Sequence, residues 1–226
     1  MKQLAIFDLD HTLIAVDCEL QWACYLAQEQ VITTQCLQVM RDYFDDYGNG
    51  TLNFEQYIAY SVGLWNHLSS EALSAYLSDF VANHIRPKIF PQALKQLEWH
   101  RQQGHELLMA TASNRVLADA IGQSLGFTHI LATELVNGSD NKVAGTGCFA
   151  EGKRLRVQAW LARQGGAYQA AYFYSDSHND VPLLEVVRHA VCVNPDKRLR
   201  TAATQKGWYQ VNWSLPQVSV LTAQIG

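Results

Sequence analysis

Short apolar runs alternate along this chain with segments whose apolar residues recur at three and four positions. Leu4-Ala5-Ile6-Phe7 is the first run, and after a long interval the alternation becomes regular. A helical pattern from Pro91 to Gln103 closes at Gly104, a run from Glu106 to Ala110 follows, and a second helical pattern from Arg115 to Leu125 closes at Gly126. His129-Ile130-Leu131-Ala132, a helix from about Arg154 to Arg163 ended by Gly165-Gly166, the run Ala170 to Tyr174, a short helix after Pro182 and the run Ala190 to Val193 complete the series. Strand and helix in this rhythm predict an α/β fold, a doubly wound parallel sheet with helices on both faces and right-handed crossovers. Asn137 to Gly152, rich in Gly, Asn and Asp and without a helical period, reads as a loop or hairpin excursion.

The interval between the first two strands has a different character. Leu20, Ala23, Cys24 and Ala27 keep helical spacing, as do Ala72, Leu73, Tyr76, Leu77 and Phe80, with Gly48-Asn49-Gly50 breaking the middle. Residues 13–85 hold nine acids (Asp17, Glu19, Glu29, Asp42, Asp45, Asp46, Glu55, Glu71 and Asp79) against one base, Arg41, while the whole chain has a net charge of only −4. All five prolines, at positions 87, 91, 182, 195 and 216, lie after that block. The composition shift predicts a small helical domain at 16–85, inserted after the first strand into a core made of 1–15 and 86–226, with hinges near Leu13–Val16 and Ile85–Lys88.

Composition narrows the classes. With 226 residues, 48% hydrophobic and 17% charged, the chain is expected to fold around a sizeable core. The slight negative charge offers no footprint for nucleic acid, and no apolar run reaches the 18 residues or more that span a bilayer. Five scattered cysteines (Cys18, Cys24, Cys36, Cys148, Cys192) without a CxxC pair fit neither a disulfide framework nor a zinc site, and with no secretory segment the expectation is a soluble, cytoplasmic protein, monomer or homodimer.

Ligands of an open parallel sheet bind beyond the carboxyl ends of its strands. There the sequence places Asp8-Leu9-Asp10-His11-Thr12 after the first strand, Thr111-Ala112-Ser113-Asn114 after the second and Ser175-Asp176-Ser177-His178-Asn179-Asp180 after the fourth, with Lys153 opening the helix before it. Carboxylates so close together repel unless a cation lies between them, and hard oxygen donors beside a phosphate suit Mg²⁺. A cation, a lysine, hydroxyls and helix-initial N–H groups form a cradle for phosphoryl transfer. Asp8, directly after a buried strand, is the better nucleophile candidate and Asp10 the better general acid and base.

These motifs resemble those of the haloacid dehalogenase-like phosphatases, in the phosphoserine phosphatase-like branch with a helical cap. DxDxT matches Asp8, Asp10 and Thr12, the second-motif hydroxyl matches Thr111, the lysine matches Lys153, and the acidic fourth motif matches Asp176 and Asp180. The resemblance covers nearly the whole chain. It implies that Asp8 becomes phosphorylated, that Asp10 acts as acid and base and lends its carbonyl to Mg²⁺, and that Thr12, Thr111 and Lys153 hold phosphoryl oxygens. It further implies that Asp176 binds the metal, that Asp180 supports the metal's waters or Lys153, and that Asn179 lines the pocket. Dehalogenases lack the second acid, so Asp10 speaks for phosphate chemistry. Leu52-Asn53-Phe54-Glu55-Gln56 resembles the start of the phosphoserine phosphatase cap, but the arginine that grips the substrate carboxylate there is replaced by Ser61, while Asp17 stands where the amine-recognising acid would be.

Several residues have a second reading. Ser113 is either a phosphate contact or an N-cap, Asp17 either a substrate contact or an N-cap, and the acidic block either a solvated face or a device for steering a cationic substrate. Trp22, Tyr25, Tyr57 and Trp65 read chiefly as core, and His11 and His178 as bystanders rather than ligands. The expected function is a Mg²⁺-dependent phosphomonoesterase acting on a small, amine-bearing ester, with histidinol phosphate a candidate because this branch includes histidinol phosphatases. A lipid-phosphate phosphatase or phosphotransferase of the same family, and a phospho-acceptor signalling module, are the alternatives.

Overall fold

The computed structural model describes residues 1–136 and 142–216. β1 (Lys2–Phe7) lies between β2 (Glu106–Asn114) and β4 (Tyr168–Ser175), with β3 (His129–Thr133) beyond β2 and β5 (His189–Val193) and β6 (Tyr209–Val211) beyond β4, every pair parallel. Successive side chains of a strand point to opposite faces, and both faces here are apolar. Leu4, Ile6, Leu108, Ala110, Phe173 and Cys192 form one core, under α7 (Glu151–Arg163), α8 (Val181–Leu184) and α9 (Lys197–Lys206). Ala5, Phe7, Leu107, Met109, Tyr174 and Val193 form the other, under α5 (Pro91–Gln102) and α6 (Arg115–Ser124). This is the doubly wound sheet that the alternation predicts.

Between β1 and α5 the chain is helical, as predicted: α1 (Cys18–Gln28), α2 (Gln35–Asn49), α3 (Phe54–Gly63) and α4 (Ser70–Phe80). Asp17, Asn53 and Ser69 cap three of these helices by accepting the N–H of Leu20, Gln56 and Ala72. Trp22 meets Phe80 edge-on at 5.0 Å, and Met40, Ile58 and Trp65 are buried in the same core. The two passages into and out of this insert are bonded to each other: Ala15 N–H donates to Lys88 O at 2.8 Å and Phe90 N–H to Leu13 O at 3.1 Å. The predicted hinge segments therefore form a two-stranded neck.

Two features differ from the pattern reading. α7 starts at Glu151, ahead of its first apolar repeat, because Gly152 lets the first turn lie against the preceding loop; a Cβ there would sit 2.2 Å from Gly147 O. α9 and β6 add an edge to the sheet that the spacing did not reveal, since α9 buries only Leu199 and Ala203 and β6 has three residues. In the predicted hairpin, Val136 N–H donates to Lys142 O and Ala144 N–H to Glu134 O, both at 2.8 Å, while residues 137–141 lie outside the described residues.

Candidate active site

The chain builds β2 and β3 on one side of β1, then returns to lay β4, β5 and β6 on the other. The carboxyl ends of β1 and β4 therefore form the topological switch point, where open sheets of this kind bind ligands. A cavity of about 120 Å³, open in part to solvent, lies there, lined by Asp8, Asp10, Asp17, Ser113, Lys153, Asp176, Asn179 and Asp180 among others. Its opposite wall is aromatic, with Tyr43, Phe44 and Tyr47 from α2, Phe54 and Tyr57 from α3, and Phe149 from the loop before α7.

β1 places Asp8 at the base of this cavity, and Asp8 N–H extends the strand pairing by donating to Tyr174 O at 3.0 Å. The chain then turns sharply. Leu9 O accepts the N–H of Thr12, Leu13 and Ile14, and His11 takes a left-handed φ of 54°, so Asp10 returns to the same cavity. Lys153, 3% exposed, reaches in from α7 and puts Nζ 3.0 Å from Asp8 and 2.7 Å from Asp180. The Ser175 hydroxyl donates to the same Asp180 oxygen at 2.7 Å. Asp10 accepts the Cys18 N–H at 2.7 Å on one oxygen and the Ser113 hydroxyl at 2.6 Å on the other.

Three predicted site residues do not line the cavity. Thr12 is fully buried and spends its hydroxyl on Asp176 Oδ1 at 3.0 Å, so it orients an acid of the site. Thr111, also fully buried, accepts the Ser113 N–H at 3.2 Å. Ser61 faces away, donating its hydroxyl to the buried Glu19 carboxylate. Ser113, in contrast, lines the cavity and is not a cap: Asn114 caps α6 by accepting the N–H of Val116 and Leu117. Asp17 caps α1 and also lines the cavity.

Among the acids of the insert, Glu29, Asp42, Asp45, Glu55, Glu71 and Asp79 are exposed. Of the four aromatics singled out in the sequence, only Tyr57 lines the cavity. The others that do so carried a partial signal: Tyr43, Phe44 and Tyr47 share one face of α2, whereas nothing local marks Phe149. Two contacts tie insert to sheet across the cavity mouth, Tyr47 OH to Ser177 Oγ at 2.6 Å and Phe54 stacked on Phe149 at 4.9 Å. His178 Nδ1 is engaged by Asp196 at 2.9 Å, outside the cavity.

The model of the haloacid dehalogenase-like hydrolases matches residues 5–185, which hold all of these acids and Lys153. The chain belongs to this family. A histidinol-phosphatase of Neisseria meningitidis is 35% identical over 94% of this chain and 100% of its own length. A solved protein of unknown function from Bordetella pertussis is equally identical, with a TM-score of 0.84 over 93% of this chain and 98% of that one. A substrate-bound phosphoserine phosphatase, only 17% identical, shares the fold with a TM-score of 0.66 over 89% of this chain and 90% of its own. The protein is accordingly a phosphatase of the haloacid dehalogenase-like family.

Its acids are electrostatically strained. Burial pushes the Asp8 carboxyl up to about 7; Lys153 opposes this, and Asp180 and Asp10 add to it. Burial likewise holds Asp176 well above the usual range, with the Asp8 charge reinforcing it. For Lys153 burial works against the charge, but Asp180 and Asp8 outweigh it and keep the ammonium protonated. Among the described residues no three His, Cys, Asp or Glu side chains gather closely enough to ligate an ion on their own. Asp8 and Asp176, facing one cavity, offer two hard oxygen donors of the kind that could hold a divalent cation such as Mg²⁺.

A pH dependence follows. A carboxyl whose folded pKa is raised binds its proton more tightly when folded, so stability falls as pH rises towards the folded value. Asp8, Asp17, Glu19 and Asp176 all shift in this direction. His100, lowered to about 3 by burial and by His105, acts oppositely but only below about pH 6.5. In chelator, the urea midpoint is expected to fall from pH 6.5 to 8. An unchanged or rising midpoint would contradict the assigned burial of these acids.

Proposed function

We propose that this phosphatase is a Mg²⁺-dependent phosphomonoesterase that works through an aspartyl-phosphate on Asp8 and takes a small, amine-bearing ester, histidinol phosphate being the candidate. Residues 1–15 and 86–226 serve as the catalytic core and 16–85 as its cap. The observation that carries the reading is Lys153, buried with its ammonium 3.0 Å from Asp8 and 2.7 Å from Asp180 on the floor of a cavity that Asp10 and Asp17 also line.

Asp8 attacks phosphorus and the bond to the ester oxygen breaks, while Asp10 gives that oxygen its proton. Water then attacks the phosphoryl group on Asp8, Asp10 takes the water's proton, and the phosphorus–Asp8 bond breaks to release phosphate. Lys153 and Asn179 would hold phosphoryl oxygens, while the Ser113 hydroxyl, whose one hydrogen goes to Asp10, acts on that acid, and Thr12 and Thr111 act through Asp176 and Ser113. Asp8, the Asp10 carbonyl and Asp176, supported by Asp180, would hold Mg²⁺, which would supply positive charge against those oxygens.

Asp17 and the aromatic wall support the substrate class: a carboxylate beside Tyr43, Phe44, Tyr57 and Phe149 suits an ammonium group attached to a flat ring. Among the described residues no arginine lines the cavity to pair with a substrate carboxylate. A phospho-acceptor module is disfavoured because Asp8, 7% exposed, lies beneath the aromatic wall rather than open to a partner. Exposed acids on the insert disfavour an anionic lipid surface.

The test is Mg²⁺-dependent phosphate release from histidinol phosphate, phosphoserine, phosphoethanolamine and sugar phosphates. A sharp preference for an amine-bearing ester without a carboxylate is expected; even turnover across the panel would reject the substrate class, and no turnover would reject the reaction. Asp17→Asn should raise KM for the preferred amine roughly tenfold while leaving KM for 4-nitrophenyl phosphate within about twofold. Equal effects on both would reduce Asp17 to its capping role.

A further inference from the structure

Glu19 is a buried carboxylate that the reaction described above does not use. It is 1% exposed, lies in the first turn of α1, and contributes nothing to the cavity lining. Its partners come from two other elements. The backbone N–H and the side-chain amide of Asn114, at the end of β2, donate to Oε1 at 2.8 and 2.9 Å, and the Ser61 hydroxyl of α3 donates to Oε2. An isolated buried charge is costly, and three donors are the usual reason that one persists.

The neighbours of this pair are the groups that hold the acid–base. Cys18, immediately before Glu19, gives its N–H to one oxygen of Asp10, and Ser113, immediately before Asn114, gives its hydroxyl to the other. Cys18 Sγ lies 3.3 Å from Ser113 Oγ, so the dipeptides Cys18-Glu19 and Ser113-Asn114 lie side by side. One rung of this ladder is the Glu19–Asn114 bridge, and the next is the pair of donors on Asp10. Asn114 is itself immobilised, because its other amide atom caps α6.

We propose that Glu19 is a positioning residue for Asp10. By clamping the start of α1 to the end of β2, it fixes where the Cys18 N–H and the Ser113 hydroxyl stand and hence the direction in which Asp10 presents its proton. The proposal rests on the reading of Asp10 as general acid. Loss of the clamp lets the two donors drift apart, and a displacement on the order of 1 Å at a proton-transferring group can cost ~100-fold in rate.

The test exploits leaving groups. An alkyl phosphate ester requires a proton at the departing oxygen, whereas 4-nitrophenyl phosphate departs well without one, so a defect in the acid falls on the first alone. Single-turnover release of the alcohol or phenol is measured for wild type, Asp10→Asn, Glu19→Ala and Glu19→Gln, each with its urea midpoint. Glu19→Ala is expected to slow release from the alkyl ester at least ~10-fold more than from the aryl ester. Glu19→Gln, which keeps an acceptor for Asn114, should show the same preference at about threefold, and it carries the test if the alanine variant does not fold. Equal slowing on both esters, with Asp10→Asn still discriminating between them, overturns the role of Glu19 and leaves Asp10 as the acid. If Asp10→Asn itself fails to discriminate, the reading of Asp10 falls and the proposal with it.

Discussion

Asp8→Asn is expected to lower turnover by at least ~1,000-fold on every substrate while leaving the folded protein as stable as wild type or more so. Asparagine keeps the shape at the end of β1 but lacks the carboxylate that the proposed mechanism uses as nucleophile. The stability half of the expectation comes from the electrostatics. Burial and the neighbouring acids raise the Asp8 carboxyl to about 7 even with Lys153 3.0 Å away, so the ionised form is held against a net unfavourable environment at neutral pH. A neutral amide removes that penalty, the trade between stability and activity expected of a strained site. Phosphate release and urea unfolding on the same preparation check both halves. Residual activity within tenfold of wild type would remove Asp8 from the nucleophile's role, and a marked fall in the urea midpoint would show that the Lys153 pair outweighs the burial cost.

Lys153→Met should give the largest loss of stability. The lysine is buried between Asp8 and Asp180, and the shape-preserving replacement leaves both carboxylates facing an apolar side chain. Removing one partner of a buried pair typically costs about 3–5 kcal/mol, because the remaining charge is left uncompensated. The loss should be greatest above pH 7, where Asp8 is ionised, and should shrink on lowering the pH towards 6 as its carboxyl takes up a proton. Turnover should fall together with stability, since the same ammonium faces the cavity. Urea titrations at pH 6 and 8 decide the point: equal losses at both would mean that the cost is packing rather than charge.

The layout of the site also explains why its parts are separable by experiment. Asp8 and Lys153 lie at the sheet, Asp17 lies at the wall formed by the insert, and Glu19 links α1 to β2. The Tyr47–Ser177 and Phe54–Phe149 contacts bridge the same gap at its mouth, while the paired neck at Leu13–Phe90 and Ala15–Lys88 holds it at the base.

The sequence by itself determined the alternation of strands and helices, the position of the helical insert and the placing of Asp8, Asp10 and Asp176 beyond strand ends. These are consequences of local periodicity: a four-residue apolar run buried on both faces has few alternatives, and the residue after it necessarily emerges at the sheet's edge. α9 and β6 escaped because an edge element buries too little apolar surface to impose a period. Tertiary structure alone decided which polar groups meet. Thr12 and Ser113 carry the same chemistry at neighbouring strand ends, yet one hydroxyl is drawn to Asp176 and the other to Asp10, each by the acceptor nearest in space. Glu19 looked like one acid among nine, and only the packing of α1 against β2 set it apart from the six exposed on the surface. A hydrogen bond is specified by distances of about 3 Å between residues as much as 164 positions apart, and no spacing along the chain encodes that.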